Sequence, residues 1–319
     1  MSIVFLGTSD FAAAVLERLA QSDAHRPALV VTRPDRRRGR GLRLAPPPVA
    51  ERARALGIPL EQPERVNDPA ARALIAGGGQ RTVVVCAFGA LIKEPLLSEH
   101  ELLNVHPSLL PRWRGAAPIE RAIMAGDAHT GVSIMRLTAG LDSGPVCLAE
   151  SEVIGPQDDY GTLSGRLRAL AGELLLRALD LKAQGRQLPF AEQDDSAATY
   201  AEKISSEDRL LDPARSAGEL ERRVRALHPH IGARVALPDG TLLRVHRAAV
   251  LDVAASARER PDAPERDRTS ADALGVRAWE DRLLLDCGSG VLELLLVQPA
   301  GGRVMDAASY LRGHRPPRP

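Results

Sequence analysis

The feature that most constrains the fold is a run of five apolar residues, Val83–Ala87. The run is far too short to cross a bilayer. A strand without polar alternation is typical of a parallel sheet that is covered on both faces. The sequence around the run alternates short apolar stretches with amphipathic helical patterns, and this alternation predicts an α/β domain with a mostly parallel sheet.

The periodicity of the first half of the chain predicts six strands and four helices. The predicted strands are Ile3–Leu6, Ala28–Thr32, Val83–Ala87, Leu103–His106, Val132–Leu137 and Pro145–Ile154. The predicted helices are 10–21, Val49–Leu56, Pro118–Ala125 and Thr162–Gln184. We expect the first helix to be capped by Asp10, because a short acidic side chain accepts hydrogen bonds from a helix N-terminus.

The pattern changes after residue 184. Gly, Pro, Gln, Asp and Ser dominate the stretch 185–207, which predicts a linker between a catalytic domain (1–184) and a second domain (208–312). A single helix, Ala217–Leu227, precedes a series of short strands joined in part by a Pro238-Asp239-Gly240 hairpin turn. These strands predict a small β-barrel, and they are Ala233–Leu237, Leu242–Ala249, Val276–Ala278, Arg282–Asp286 and Val291–Val297. We expect 254–273 to be a long surface loop and 313–319 a disordered tail.

Charge, cysteine content and the N-terminus restrict the class of protein. The net charge of +1 excludes a global attraction to polyanions. Three widely spaced cysteines form neither a disulfide framework nor a zinc pattern, so we expect no metal. The chain begins directly with a strand-like run rather than a signal peptide, which favours a cytoplasmic protein. Only three of its 42 Lys and Arg residues are lysines, so arginine counts must be discounted as functional evidence.

Two segments carry most of the chemical information: Asn-Val-His-Pro at 104–107 and Gly-Leu-Asp-Ser-Gly at 140–144. Side chains alternate along a strand, so Asn104 and His106 share one face. Pro107 marks the strand end, where α/β proteins place their sites. Asp142 follows in a loop bracketed by glycines, from which a carboxylate can reach the imidazole and set its tautomer. The alternative is that His106 is a structural histidine.

This trio suits the attack of a neutral amine on a formyl carbon. The Asn104 amide can donate to the oxyanion of the tetrahedral intermediate, and His106 can move protons between the two nitrogens. Asp142 can orient His106 and stabilise its positive form. Ser108 lies outside any Gly-x-Ser-x-Gly elbow, so we interpret it as a binding residue rather than a nucleophile.

The stretch 33–43 contains six arginines and one aspartate. Its two glycines predict a mobile loop, and cationic side chains on such a loop suit contacts with a phosphate backbone. A solvated loop in an arginine-biased chain is the alternative. Elsewhere, Trp113 lies between two arginines, and it can either stack on a planar ring or pack within the protein.

The residues of several motifs together resemble the methionyl-tRNA formyltransferase family. The strongest are the stretch 104–119 and the motif Gly-Leu-Asp-Ser-Gly, and the match runs in order over nearly the whole chain. Supporting stretches are Phe-Leu-Gly-Thr-Ser-Asp-Phe (5–11), Ala-Gly-Asp (125–127), Thr-Gly-Val-Ser-Ile-Met (130–135), Thr-Tyr-Ala-Glu-Lys-Ile (199–204), Arg-Ala-Leu-His-Pro (225–229) and Gln-Pro-Ala-Gly (298–301). The 104–119 motif is shared with other transferases that use 10-formyltetrahydrofolate.

The resemblance implies a Rossmann-like domain followed by an OB-like tRNA-binding barrel, acting as a monomer in translation initiation. It implies formyl transfer from 10-formyltetrahydrofolate to the α-amino group of methionyl initiator tRNA, without a metal. It assigns catalysis to Asn104, His106 and Asp142. It assigns the folate to Ser108, Leu109, Leu110 and Pro111, and the acceptor stem of the tRNA to Arg36, Arg37, Arg38, Arg40 and Arg43.

Two alternatives remain open at this stage. The first is a formyltransferase acting on a small amine, such as an amino sugar nucleotide or glycinamide ribonucleotide. Such a substrate needs neither the arginine-rich loop nor a second domain. The second is an RNA-binding protein without enzymatic activity, and the polar trio argues against it.

Overall fold

A computed structural model describes residues 2–38, 43–77, 81–251 and 275–314. The chain divides into two compact units. Unit 1 comprises Met1–Pro118, His129–Val153 and Ser164–Glu202, and unit 2 comprises Ile119–Ala128, Ile154–Leu163 and Lys203–Pro319. The stretch 185–202, within the expected linker, therefore belongs to unit 1.

The strands and helices up to residue 202 are numbered in chain order. The strands are β1 (Ile3–Gly7), β2 (Leu29–Val31), β3 (Arg36–Arg38), β4 (Arg43–Ala45), β5 (Leu60–Glu61), β6 (Thr82–Cys86), β7 (Glu101–His106), β8 (Arg114–Gly115), β9 (His129–Arg136), β10 (Val146–Val153) and β11 (Tyr200–Ala201). The helices are α1 (Asp10–Ala20), α2 (Pro48–Ala55), α3 (Pro69–Ala76), α4 (Leu96–Glu99), α5 (Pro118–Ala125) and α6 (Tyr160–Ala183).

Unit 1 is built on a seven-stranded sheet in the order β10-β9-β7-β6-β1-β2-β5. The strands from β5 to β7 pair in parallel, and β9 and β10 are antiparallel additions. Every residue of β1 and β6 is buried, as expected for a sheet covered on both faces. The chain order reverses between β1 and β6, so the carboxyl ends of β1, β6 and β7 border the crevice where such sheets bind ligands.

Unit 2 contains β12 (Ala233–Ala236), β13 (Leu242–Leu251), β14 (Gly275–Trp279), β15 (Arg282–Asp286), β16 (Val291–Gln298), β17 (Met305–Asp306), α7 (Ala217–Leu227) and α8 (Ala307–Gly313). Its strands form a curled antiparallel sheet in the order β12-β13-β16-β15-β14, with β17 added to β16. Apolar residues of the sheet, of α7 and of α8 share one buried core. A capping box, in which Ser216 and Glu219 bond to each other's backbone N–H, starts α7.

The predicted fold class, an α/β domain followed by a small antiparallel β domain, is confirmed. Two local expectations are wrong. The cap of α1 is Ser9, whose hydroxyl accepts the Ala12 N–H at 3.3 Å, and Asp10 lies inside the helix. The arginine-rich stretch is expected to be a loop throughout, but its described part is an antiparallel ribbon of β3 and β4, with Arg37 opposite Leu44. Gly39 and Gly41, on which the predicted mobility rests, lie outside the described residues. The loop 254–273 and residues 315–319 lie outside the described residues.

No helix in the described ranges is both long and apolar enough to cross a membrane.

One ion pair inside unit 2 makes its stability depend on pH. Both terminal nitrogens of Arg121 donate to the Asp208 carboxylate at 2.8 Å, and both side chains are mostly buried. The hydrogen bond from Arg121 is the main reason that the pKa of Asp208 falls to about 2. Because the folded-state pKa lies below the unfolded value, this contribution is complete above about pH 4 and is lost as the pH falls toward 2.

We predict that Asp208→Asn lowers the free energy of unfolding by about 2 kcal/mol at pH 7. The difference between parent and variant should shrink between about pH 4 and pH 2, because the parent carboxylate becomes protonated there. Urea unfolding across this range measures it, and Asp281→Asn, in the turn after β14, controls for loss of a charge. A difference that stays constant with pH would contradict the assignment.

Candidate active site

Asn104 and His106 lie at the carboxyl end of β7, between β6 and β9. They are two residues apart on one strand and therefore share a face, as the sequence predicts. Asn104 is 7% exposed and His106 is 4% exposed. Buried polar side chains need partners, so the groups around them determine what these two residues can do.

Asp142 reaches both residues from the loop after β9. Its Oδ1 accepts a hydrogen bond from Asn104 Nδ2 at 3.4 Å, and its Oδ2 accepts the Gly115 N–H at 2.9 Å. Oδ2 also lies 3.7 Å from His106 Nδ1. The structure thus brings the three sequence-predicted polar groups into one cluster. Asn104 has two amide hydrogens and donates one of them, within the described residues, to Asp142.

The backbone of the Asp142 loop is strained. Asp142 has a φ of +46°, which is uncommon for a residue with a side chain. Two residues later, a Cβ on Gly144 would lie 2.0 Å from the Arg136 carbonyl oxygen. Only glycine therefore allows the loop to pass so close to β9, and this close approach turns the carboxylate toward β7.

The tautomer of His106 is set by a backbone carbonyl and not by Asp142. His106 Nε2 lies 2.8 Å from the Trp113 carbonyl oxygen. A carbonyl can only accept, so Nε2 carries the hydrogen and Nδ1 of the neutral ring is an acceptor. Nδ1 faces the Asp142 carboxylate at a distance beyond hydrogen bonding. The expectation that Asp142 fixes the tautomer is wrong. The chain after β7 turns back, so the Trp113 carbonyl, and not the Asp142 carboxylate, lies within hydrogen-bond distance of the imidazole.

The loop after β7 is held in shape by two serines. The Ser108 hydroxyl is fully buried and donates to the Arg112 carbonyl at 2.6 Å. Ser133 on β9 donates to the Ser108 carbonyl and accepts the Leu110 N–H. The Ser108 hydroxyl is therefore bonded within the protein, whereas residues 109–111 are half-buried and keep some exposed surface. The Trp113 ring carries the Arg112 guanidinium 4.4 Å from its centre.

Sequence reasoning missed two residues next to this cluster, Gln193 and Thr199. Gln193 Nε2 donates to the carbonyls of Asp142 and Gly144, and Thr199 Oγ1 accepts the Trp113 N–H. Both lie in the stretch interpreted as a linker. The only sequence signal was the motif Thr-Tyr-Ala-Glu-Lys-Ile, which carries the family resemblance but has no chemistry that spacing alone reveals.

Four of the five arginines of the expected tRNA-binding loop lie on the ribbon of β3 and β4, namely Arg36, Arg37, Arg38 and Arg43. Arg36, Arg37 and Arg43 are at least partly exposed, and the backbone register pairs Arg38 with Arg43. Arg40 lies outside the described residues. The ribbon is separate in sequence from the Asn104 cluster, and it presents cationic groups to solvent.

Unit 2 has a cationic cluster of its own, formed by Arg209, Arg234 and Arg244. Arg234 and Arg244 are direct cross-strand partners, and Arg209 and Arg244 both donate to the Ile231 carbonyl. Burial first, and then the charges of Arg234 and Arg244, lower the pKa of Arg209. None of the three forms an ion pair with a carboxylate of the described residues. Like charges opposite each other on a sheet are destabilising, so an anionic ligand would relieve their repulsion.

Comparisons with known proteins cover both parts of the chain. The family model described as "Formyl transferase" matches residues 1–179, and that described as "Formyl transferase, C-terminal domain" matches 203–315. An N-formyltransferase from Helicobacter canadensis, in complex with folinic acid and dTDP-3-aminofucose, has the same fold. Its TM-score is 0.63 at 12% identity, over 92% of this chain and 98% of that one.

Curated relatives are similar over the full length. The methionyl-tRNA formyltransferase of Methylococcus capsulatus is 42% identical over 316 residues, covering 98% of this chain and 97% of the relative. That of Xanthomonas campestris pv. campestris is 40% identical, covering 99% and 98%. Identity at this level over both domains shows common descent and not fold alone. This chain therefore belongs to the formyl transferases and, among them, to the methionyl-tRNA formyltransferase family.

Proposed function

We propose that this enzyme transfers the formyl group of 10-formyltetrahydrofolate to the α-amino group of methionyl initiator tRNA, for translation initiation. The observation that carries the proposal is the cluster of Asn104, His106 and Asp142 at the carboxyl end of β7. The full-length similarity to methionyl-tRNA formyltransferases supports the choice of substrate. The enzyme acts as a monomer in the cytoplasm, where initiator tRNA is charged.

The reaction begins with attack of the neutral amine on the formyl carbon. A C–N bond forms, the carbonyl electron pair moves to oxygen, and the Asn104 amide donates a hydrogen bond to that oxyanion. The attacking nitrogen releases a proton to His106 Nδ1, the acceptor left by the Trp113 contact. The oxyanion electron pair then re-forms the carbonyl as the bond to N10 of the folate breaks, and His106 returns the proton to N10. The products are formylmethionyl-tRNA and tetrahydrofolate.

Asp142 acts on charge rather than on orientation. When His106 takes the proton, the imidazolium lies 3.7 Å from the carboxylate Oδ2 in a mostly buried site. Attraction at this distance is several times stronger there than in water, because the surroundings are less polarisable. The Gly115 N–H and the Asn104 amide each donate a hydrogen bond to one oxygen of the carboxylate. These bonds keep the carboxylate at its distance from His106 before the proton is transferred.

The folate is proposed to lie against the loop after β7. Leu109, Leu110 and Pro111 are half-buried and offer apolar surface beside the catalytic cluster, which suits contact with the apolar faces of the folate rings. Ser108 contributes by shaping the loop, since its hydroxyl is bonded to the Arg112 carbonyl. A Cβ on Gly131 would lie 2.6 Å from Leu109 Cδ2, so this glycine makes room for the same wall.

The tRNA is proposed to contact the two cationic surfaces. Arg36, Arg37, Arg38 and Arg43 of the ribbon, together with Arg40, bind the acceptor stem. The cluster of Arg209, Arg234 and Arg244 in unit 2 binds phosphates elsewhere on the tRNA. With a net charge of +1, binding depends on these local groups rather than on the whole molecule.

The decisive experiment offers several amines beside 10-formyltetrahydrofolate. Methionyl initiator tRNA, free methionine, an amino sugar nucleotide and glycinamide ribonucleotide are compared by labelled formyl incorporation. We expect incorporation into the charged tRNA at a kcat/KM at least about a hundredfold above the others. Preferential formylation of a small amine would replace the proposal with the small-substrate alternative, and no incorporation into any amine would refute it.

We predict that His106→Ala lowers kcat by about 10²–10⁴-fold, the usual contribution of a general acid or base. Affinity for the folate should change less than about threefold, because the lost role belongs to the transition state. Single-turnover formylation and folate titration measure the two effects. A variant with near-parental kcat would remove His106 from the mechanism.

Neutralising the ribbon should weaken tRNA use in a salt-dependent way. In Arg36→Ala/Arg37→Ala/Arg43→Ala, the slope of log affinity against log salt should fall by about 1 for each phosphate that the variant no longer neutralises. Arg234→Ala tests the unit 2 cluster by the same titration. Arg186→Ala, an exposed arginine of unit 1, is the matched control. Equal slopes in parent and variants would show that these arginines are ordinary solvated residues that do not contact the tRNA.

A further inference from the structure

We propose that Gln193 and Thr199 are positioning residues for the reaction, acting on Asp142 and His106 respectively. The inference rests on the proposed function. It concerns the segment 191–201 of unit 1, which ends in β11 and pairs through that strand with β8. Neither residue is expected to touch a substrate. Each is bonded to the backbone that carries or orients a catalytic group.

Gln193 holds the strained Asp142 loop. Its two amide hydrogens are both used, on the carbonyl oxygens of Asp142 at 2.9 Å and Gly144 at 2.7 Å. A non-glycine residue at positive φ costs free energy and persists only when its surroundings hold it there. These two bonds bind both ends of the turn to one side chain. Without them we expect the turn to relax and the carboxylate to move away from His106.

The orientation of the Gln193 amide is itself determined. Its Oε1 accepts a hydrogen bond from Arg114 Nε at 3.0 Å, and a guanidinium can only donate. The amide nitrogen must therefore face the Asp142 loop. Arg114 is 3% exposed, and a second of its nitrogens donates to Asp195 at 2.7 Å. This chain of bonds fixes Gln193 from behind, as a supporting residue in a preorganised site requires.

Thr199 acts on His106 through Trp113. Thr199 Oγ1 accepts the Trp113 N–H at 2.9 Å, while its backbone carbonyl accepts the Arg114 N–H. Trp113 also has positive φ, at +63°, and its carbonyl is the group that sets the His106 tautomer. The Trp113 carbonyl belongs to the peptide group that the Thr199 carbonyl holds, and the Thr199 hydroxyl holds the preceding peptide group, so Thr199 fixes both sides of Trp113. If Trp113 leaves its positive φ, its carbonyl turns away and the imidazole loses the acceptor that keeps its hydrogen on Nε2. The two residues thus support the base and its neighbouring carboxylate from one segment.

The first test is Gln193→Ala in the full-length enzyme. We expect kcat to fall by on the order of tenfold and KM for both substrates to stay within about twofold, because geometry and not binding is impaired. Gln184→Ala, the same truncation at an exposed position of unit 1, is the matched control and should keep parental kcat.

A double-mutant cycle separates positioning from general destabilisation. In an Asp142→Asn background, single-turnover rates should fall less than about twofold further when Gln193 is replaced, since the group that it positions is already gone. Independent effects that multiply would show that Gln193 does not act through Asp142. Parental kcat in Gln193→Ala would overturn the inference directly.

Thr199 offers a pair of variants that differs in one group. Thr199→Val removes the hydroxyl with nearly the same shape and should lower kcat by on the order of tenfold at unchanged KM. Thr199→Ser keeps the acceptor oxygen and should restore most of the rate. Equal rates in the two variants would refute the role of Thr199, whatever happens to Gln193→Ala. If the parent formylates charged tRNA and the variants match it, the inference fails while the proposed function stands.

Discussion

Three segments of unit 1 that are distant in sequence meet at one carboxylate. Asp142 accepts hydrogen bonds from Asn104 on β7 and from the backbone of Gly115 beyond the loop that follows β7. A mostly buried carboxylate without donors would be costly, so the Asp142 loop, β7 and the segment at Gly115 must come together for this cluster to form. The same bonds leave His106 Nδ1 as a further polar neighbour of Oδ2. The position of Asp142 beside His106 therefore depends on the hydrogen bonds that its two oxygens accept from Asn104 and Gly115.

The histidine then gains its chemical character from a second backbone contact. The Trp113 carbonyl takes the hydrogen of Nε2, so the neutral ring presents a lone pair on Nδ1. A carboxylate beside an acceptor nitrogen is an unfavourable pairing, and it becomes favourable once the ring is protonated. The proposed role of His106 as a proton acceptor uses this arrangement, because an imidazolium formed there lies beside a carboxylate. Asp142 and Trp113 are both at positive φ, which is strained for residues with a side chain. Hydrogen bonds from Gln193 and Thr199, with Arg114 behind Gln193, hold the two backbone segments in this conformation.

Binding of a polyanion by a nearly neutral chain depends on how its charges are arranged. Many arginines are paired with acids, as Arg121 is with Asp208 in unit 2. The ribbon and the cluster around Arg244 are different, because cationic residues face each other there on paired antiparallel strands. Strand pairing sets the spacing of these groups, whereas arginine content alone does not distinguish them from the compositional bias of the chain.

Hydrophobic periodicity was sufficient to determine the fold class, the face shared by Asn104 and His106, and helices such as Pro118–Ala125 and Ala217–Leu227. These features depend on residues within one or two turns of each other, and a local pattern records them. Only the tertiary structure decided that the Trp113 carbonyl sets the His106 tautomer and that Gln193 holds a loop 51 residues away. Hydrogen bonds of this kind form between groups that every sequence contains, namely backbone carbonyls and common polar side chains. Which of these groups pair depends on the positions that the folded sheet gives to the loops, and those positions are determined by residues throughout the chain.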